Sequence, residues 1–294
     1  MIQRPLVTGS NGRLGRALQS VIEDEHAERL GDAIFATRDE IDITDYWRLR
    51  AELERVEPTV VVNCAAYAHV DGCETDRDLA GLVNTEGARQ VARAAAAVGA
   101  RLIHVSTDLV FDGRLAGSGR LYREDDVPNP LSHYAVTKLA GERAVHEEHP
   151  DALVLRSSWF FGPWPANRFP ESFLLGLERG ESFRMVSDRL GSPTYLRDLA
   201  RAIARLMEIP HSGILHFSNT GEPTSRFEVL KALALRLGVP TARLQPIPDA
   251  LWTEDTAPRP LFSALDPSRY AEVTGDRPRP WNDTLDEYVS EREG

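Results

Sequence analysis

Along the first two-thirds of the chain, short apolar runs alternate with longer stretches whose apolar positions recur every three or four residues. A parallel sheet with crossover helices has this rhythm, because its strands are buried on both faces and its helices on one. The pattern predicts strands at residues 2–8, 33–37, 59–63, 101–106 and 152–157, and helices at 13–23, 46–56, 78–98 and 132–149. The run Thr59-Val60-Val61-Val62-Asn63 suits the centre of such a sheet. After Gly162-Pro163 the rhythm loosens: helices are predicted at 169–179, 196–207 and 226–237, proline clusters fall at 240–260 and 267–280, and a short helix lies at 283–291. The expected fold class is α/β, a Rossmann-type doubly wound parallel sheet with a smaller C-terminal lobe. Residues 1–160 read as a dinucleotide-binding domain and residues 161–294 as a substrate-binding lobe, some of whose segments return to the first domain.

Between the first strand and the first helix, Thr8-Gly9-Ser10-Asn11-Gly12-Arg13-Leu14-Gly15 spaces its glycines as GxxGxxG. Glycines there allow a tight turn and close backbone approach to a pyrophosphate, which the free N–H groups of the helix N-terminus then hold. Gly9, Asn11, Gly12, Arg13, Leu14 and Gly15 are therefore candidate cofactor-binding residues. At the end of the second strand, an acid would bond the ribose hydroxyls of NADH and an arginine would accept the 2′-phosphate of NADPH. Thr37-Arg38-Asp39 offers both; Arg38 tilts the reading toward NADPH with NADH left open, and Asp42 and Ile43 are candidates for the adenine pocket.

Tyr134-Ala135-Val136-Thr137-Lys138 lies on a predicted helix, so the phenol and the ammonium share a face. A fixed positive charge beside a phenol favours the phenolate, making Tyr134 usable as a proton donor and acceptor near neutrality. Ser106-Thr107, at the end of the fourth strand, offers a hydroxyl to hold a substrate carbonyl beside it.

Composition narrows the classes. With 34 Lys+Arg against 45 Asp+Glu in 294 residues, the net charge is −11, which argues against a nucleic-acid or anionic-membrane binder. The basic residues are all arginine except Lys138 and Lys231. Cys64 and Cys73 form no CxxC pair, and no stretch of eighteen apolar residues occurs, which points to a cytoplasmic protein without a disulfide framework or membrane span. His146-Glu147-Glu148-His149 has two residues between its histidines where HExxH requires three, so no metal is expected.

The segments VTGSNGRLG, VVNCAAY, STDLVFDG, YAVTK followed by LAGE, LRSSWFFG, DRLGSPT and HFSNTGEPTSRFE resemble the extended short-chain dehydrogenase/reductases, and within them the dTDP-4-dehydrorhamnose reductases. The likeness covers nearly the whole chain. It implies that Thr107 is the catalytic hydroxyl, that Tyr134 protonates the keto oxygen as hydride arrives from NADPH or NADH, and that Lys138 lowers the Tyr134 pKa and binds the nicotinamide ribose. It also places Ala65 and Ala66 beside the cofactor, and Val70, Asp108 and Trp159 around a nucleotide-sugar substrate. Two positions depart from the family's pattern: Leu109 stands where a tyrosine is common, and Ala68-His69 where a threonine often follows the AAY segment. The implied activity is reduction of the C4 keto group of a nucleotide-linked 6-deoxysugar, with a homodimer left open. The alternatives are a related keto-sugar reductase or epimerase, or a non-catalytic subunit resembling the regulatory subunit of methionine adenosyltransferase.

Overall fold

The structure, a computed structural model, describes residues 4–162 and 167–293. Ile2 and Gln3 of the first predicted strand, and Pro163 at the change of rhythm, lie outside the described residues. Strands β1 (Pro5–Thr8), β2 (Ile34–Ala36), β3 (Val60–Asn63), β4 (Arg101–Thr107) and β5 (Leu153–Ser157) follow the predicted order. Beyond them come β6 (Phe160–Phe161), β7 (Phe183–Val186), β8 (Thr194–Tyr195), β9 (Gly213–Phe217) and β10 (Leu244–Ile247). The main sheet runs β2-β1-β3-β4-β5-β9 with every pair parallel.

Side-chain alternation divides two apolar layers. Val7, Val62 and Leu155 face the helices Arg13–Glu25 and Leu196–Glu208, whereas Leu6, Val61 and Val154 face Tyr46–Val56, Ala88–Val98 and His133–Glu148. Strand order turns at β1: the chain first goes outward to β2, then returns to β3 on the other side. Ligands of doubly wound sheets bind in the crevice at the carboxyl ends of the strands flanking such a turning point.

The sixth strand, β9, carried no strand signal in the sequence. It pairs with β5 through Ser157↔Phe217, and Phe217 meets Tyr270 of the Ser268–Thr274 helix edge-on. Helices Glu171–Glu178, Arg226–Arg236 and Leu285–Glu293 enclose a separate apolar core of Phe161, Leu174, Tyr195, Leu230 and Tyr288 beside the sheet.

The long helix predicted at 78–98 is interrupted. Helix Arg77–Gly81 passes into a π-helical turn, Leu82–Gly87, before Ala88–Val98. The wider turn accompanies an inward-facing Asn84, which accepts the Tyr67 N–H at 2.8 Å and donates to the Tyr67 carbonyl at 3.2 Å and to Thr137 Oγ1 at 3.1 Å. Such bulges recur at functional sites, and this one pins the loop after β3 to the helix that carries Tyr134.

Candidate active site

Gly9 has φ +68°, and a Cβ there would lie 2.7 Å from the backbone of Ala65. A Cβ on Gly15 would lie 2.5 Å from Ser10 Cα. Both glycines are thus needed for backbone approach rather than for flexibility. The helix that follows begins at Arg13 with no side-chain cap and no acid in its first turn, leaving N–H groups and a positive dipole end at the mouth of the crevice. Such a cradle fits a pyrophosphate. Arg13 reaches across to the Phe169 carbonyl at 3.2 Å, and its Nε has no partner. Burial, then Arg226 and Arg168, lower its pKa to about 10.

At the end of β2, Arg38 is 69% exposed and 3.7 Å from Asp42, whose carboxylate accepts the N–H and hydroxyl of Thr44. Ile43 is 5% exposed and packs in the core, where a Cβ on Gly87 would lie 2.7 Å from its Cδ1. Glu40 accepts the backbone N–H and hydroxyl of Thr37, both at 2.8 Å.

The carboxyl end of β4 supplies the reactive groups. Thr107 caps the short turn Asp108–Val110, its hydroxyl accepting the Leu109 N–H at 3.2 Å and donating to Asp108 Oδ1 at 3.2 Å, and it lies near enough to the Tyr134 phenol to bear on it. Asp108 is buried, with Oδ2 accepting Ser158 Oγ at 3.0 Å and Ser263 Oγ at 2.5 Å; burial raises its pKa against these hydroxyls. Ser106 turns the other way, donating to Glu142 at 2.5 Å, and Glu142 in turn accepts from Arg156 Nη2 at 2.6 Å. Of the two hydroxyls at this strand end, only Thr107 bears on the tyrosine. Trp159 and Ser263 sit together against Gly191, where a Cβ would come within 2.8 Å of the indole Nε1, and Arg226 lies 5.5 Å over the Trp159 ring. Val70 is half-buried on the loop after β3.

Tyr134 follows the helix N-cap Ser132 by two residues. Burial, and then Asp108, push its pKa well above the ordinary value, while the Thr107 hydroxyl opposes them. The phenol is therefore neutral at neutral pH and holds a proton to give. This differs from the expectation that Lys138 would lower it, and the reason is geometric. Lys138 Nζ donates to the Val105 carbonyl at 2.8 Å and lies 3.4 Å from His104 Nε2, both on β4. Burial lowers the lysine to about 8, against the opposing pull of Glu142 and Cys64.

Behind Lys138 a buried chain crosses the sheet. His104, held neutral by burial and then by Lys138, faces Asn63 Nδ2 at 3.1 Å through Nδ1. Asn63 Oδ1 accepts the Thr8 hydroxyl at 2.8 Å and the Ala65 N–H at 3.2 Å. The glycine-loop strand and the lysine are thereby joined through β3 and β4. Nothing in the sequence marked Asn63, Asn84, His104 or Ser263 for this site, because each owes its place to a partner distant along the chain.

A glycine loop at the turning point of a parallel sheet, with Thr107, Tyr134 and Lys138 gathered at the next strand ends, defines an NAD(P)-dependent oxidoreductase of the extended short-chain dehydrogenase/reductase class. The chain belongs more narrowly to the RmlD substrate binding domain family, which it matches over residues 3–293. It is 37% identical to the spore coat polysaccharide biosynthesis protein SpsK of Bacillus subtilis, covering 98% of this chain and 97% of that protein. It is 38% identical to a dTDP-4-dehydrorhamnose reductase of Streptomyces griseus, over 97% of this chain and 92% of that one. Its fold superposes on the crystal structure of a dTDP-4-dehydrorhamnose reductase from Bacillus anthracis in complex with NADP, with a TM-score of 0.90 and 32% identity, covering 99% of this chain and 100% of that one.

Proposed function

We propose that the protein uses NADPH or NADH to reduce the C4 keto group of a nucleotide-linked 6-deoxysugar, with dTDP-4-dehydrorhamnose as substrate and dTDP-rhamnose as product. The observation that carries this reading is the buried, neutral Tyr134 phenol beside Thr107, which caps the turn at the carboxyl end of β4. A carbonyl oxygen placed between these two hydroxyls is polarised by both and takes its proton from Tyr134 as it gains charge. The bound nicotinamide supplies the hydride. Lys138 orients its ribose, and the glycine loop holds its pyrophosphate.

On the other side, Val70, Asp108 and Trp159 form the sugar pocket, with residues 161–294 contributing most of the substrate lobe. Arg13, Arg168 and Arg226 make no ion pair among the described residues. In a chain of net charge −11 they give the cleft the local positive field that an anionic nucleotide needs. Two of the relatives described above carry reductase names, which supports catalysis over a regulatory subunit.

The test is oxidation of NADPH on mixing with dTDP-4-dehydrorhamnose, run beside other nucleotide-linked 4-keto sugars. Turnover by the parent and its loss in Tyr134→Phe are expected. Undiminished turnover in that variant overturns the tyrosine's role, and no turnover of any such sugar overturns the reading.

A further inference from the structure

Asp71 lies on the loop that follows β3, next to Val70, yet its hydrogen-bond partners lie 185 to 188 residues further along the chain. Its Oδ1 accepts the backbone N–H groups of Thr256 and Ala257, both at 2.9 Å, and Arg259 Nη1 at 3.1 Å; Oδ2 accepts Arg259 Nη2 at 2.6 Å. A carboxylate gripped by a guanidinium fork and two N–H groups is a strong, directional tie. Burial would raise the Asp71 pKa, but Arg259 and these N–H groups outweigh it and hold the carboxyl well below its ordinary range.

The segment held this way, residues 248–260, has no regular structure beyond the turn Asp249–Leu251 and has little apolar anchorage, Leu251 being 65% exposed. Arg189 fastens it to the C-terminal lobe through Asp249 and Asp255. Among the described residues, the hydrogen bonds from 255–259 to the first domain all run to Asp71. The tie adjoins Val70 in the chain. Arg226 feels Arg259, Asp255 and Asp108 together, and Cys73, two residues after Asp71, is near enough to bear on Tyr134.

We propose that Asp71 and Arg259 are positioning residues for the reduction: their contact joins the two lobes and holds the Val70 loop and the 248–260 segment in the arrangement that receives the sugar nucleotide. The inference rests on the nucleotide-sugar reading above. Neither residue touches the reacting atoms, so the expected effect falls on substrate capture. If release of the tie leaves the receptive arrangement populated about 1–10% of the time, apparent affinity for the sugar nucleotide drops about 10- to 100-fold.

Steady-state kinetics of Asp71→Ala, Asp71→Asn and Arg259→Ala test this beside chymotrypsin cleavage within 248–260. In Asp71→Ala the KM for the sugar nucleotide rises by that factor, the KM for NADPH and the kcat at saturation stay at parental values, and cleavage accelerates. Asp71→Asn keeps an acceptor for the two N–H groups and falls between. The proposal is overturned by a parental sugar KM in Asp71→Ala, by equal rises in both KM values, or by parental cleavage rates. If the parent turns over no 4-keto sugar, the functional reading fails, and the cleavage rates still decide whether Asp71 holds the segment. Should the alanine variant not fold, Asp71→Asn and Arg259→Ala carry the same comparison.

Discussion

Lys138 is one of two lysines beside 32 arginines, and its surroundings explain why an arginine does not stand there. Its Nζ is a compact donor set between the Val105 carbonyl and His104 Nε2, a gap that a planar guanidinium fork does not match. Lys231, by contrast, is a partly exposed neighbour of Glu228 at 3.8 Å. The groups bearing on Lys138 are Glu142 on its own helix, Cys64 after β3 and His104 on β4. With burial lowering it to about 8, the lysine is charged below that pH and neutral above it. If the cation is needed to hold the ribose, kcat/KM for NADPH should fall on the alkaline side with a limb near pH 8, since that ratio reports the free enzyme. A profile flat from pH 7 to 10 would remove Lys138 from this role. The lysine's support is testable separately. Asn63→Leu leaves His104 Nδ1, the Thr8 hydroxyl and the Ala65 N–H short of a partner, and each such buried group costs about 1–3 kcal/mol. A large drop in urea midpoint is expected; a parental midpoint would mean that the chain across the sheet adds nothing to stability.

At the scale of elements, the helix carrying Tyr134 is placed by its fit to the π-helical turn. A Cβ on Gly141 would lie 2.2 Å from the Asn84 carbonyl oxygen, so Gly141→Ala must push the two helices apart. Overpacking of this kind typically costs about 1–3 kcal/mol, and the displaced Tyr134 should lower kcat as well. Parental denaturation and kcat in Gly141→Ala would show that the contact can relax. Periodicity could not have revealed this interruption, because one extra residue in a helix turn barely disturbs an apolar stripe. It did reveal β1 to β5, whose apolar runs are buried on both faces except in the half-buried edge strand β2, and the GxxGxxG loop, whose glycines answer to local backbone geometry. It missed β9, since the five-residue run Gly213–Phe217 holds only three apolar residues and His216 interrupts them. The site divides in the same way. Gly9, Tyr134 and Lys138 stand in local spacing patterns and Thr107 was singled out by the resemblance, whereas Ser263 reaches Asp108 across 155 residues and Asp71 reaches Arg259 across 188.

At the scale of the whole molecule, the first helix, the helix Leu196–Glu208 and the C-terminal helix are bound by charge as well as by apolar contact. Arg201 meets Glu25 at 2.8 Å, Asp198 at 3.1 Å and Glu287 at 2.8 Å, and Arg279 joins Asp198 at 2.7 Å. Isolated surface pairs contribute little, but a shared, partly buried network is screened less by salt. In Glu25 and Glu287 burial alone would raise the pKa, and the arginines reverse that, holding both below the carboxylate value of 4.5. A depressed carboxylate contributes stability above its unfolded pKa and loses it as pH falls through its folded one. The Tm of the parent should therefore hold between pH 7 and about 5.5 and fall below about 4.5. Arg201→Ala removes the cause of the depression, so its Tm should start lower at pH 7 and converge on that of the parent as the carboxylates protonate. A gap between the two curves that stayed constant down to pH 3.5 would mean that Arg201 contributes through the packing of its stem rather than through its charge.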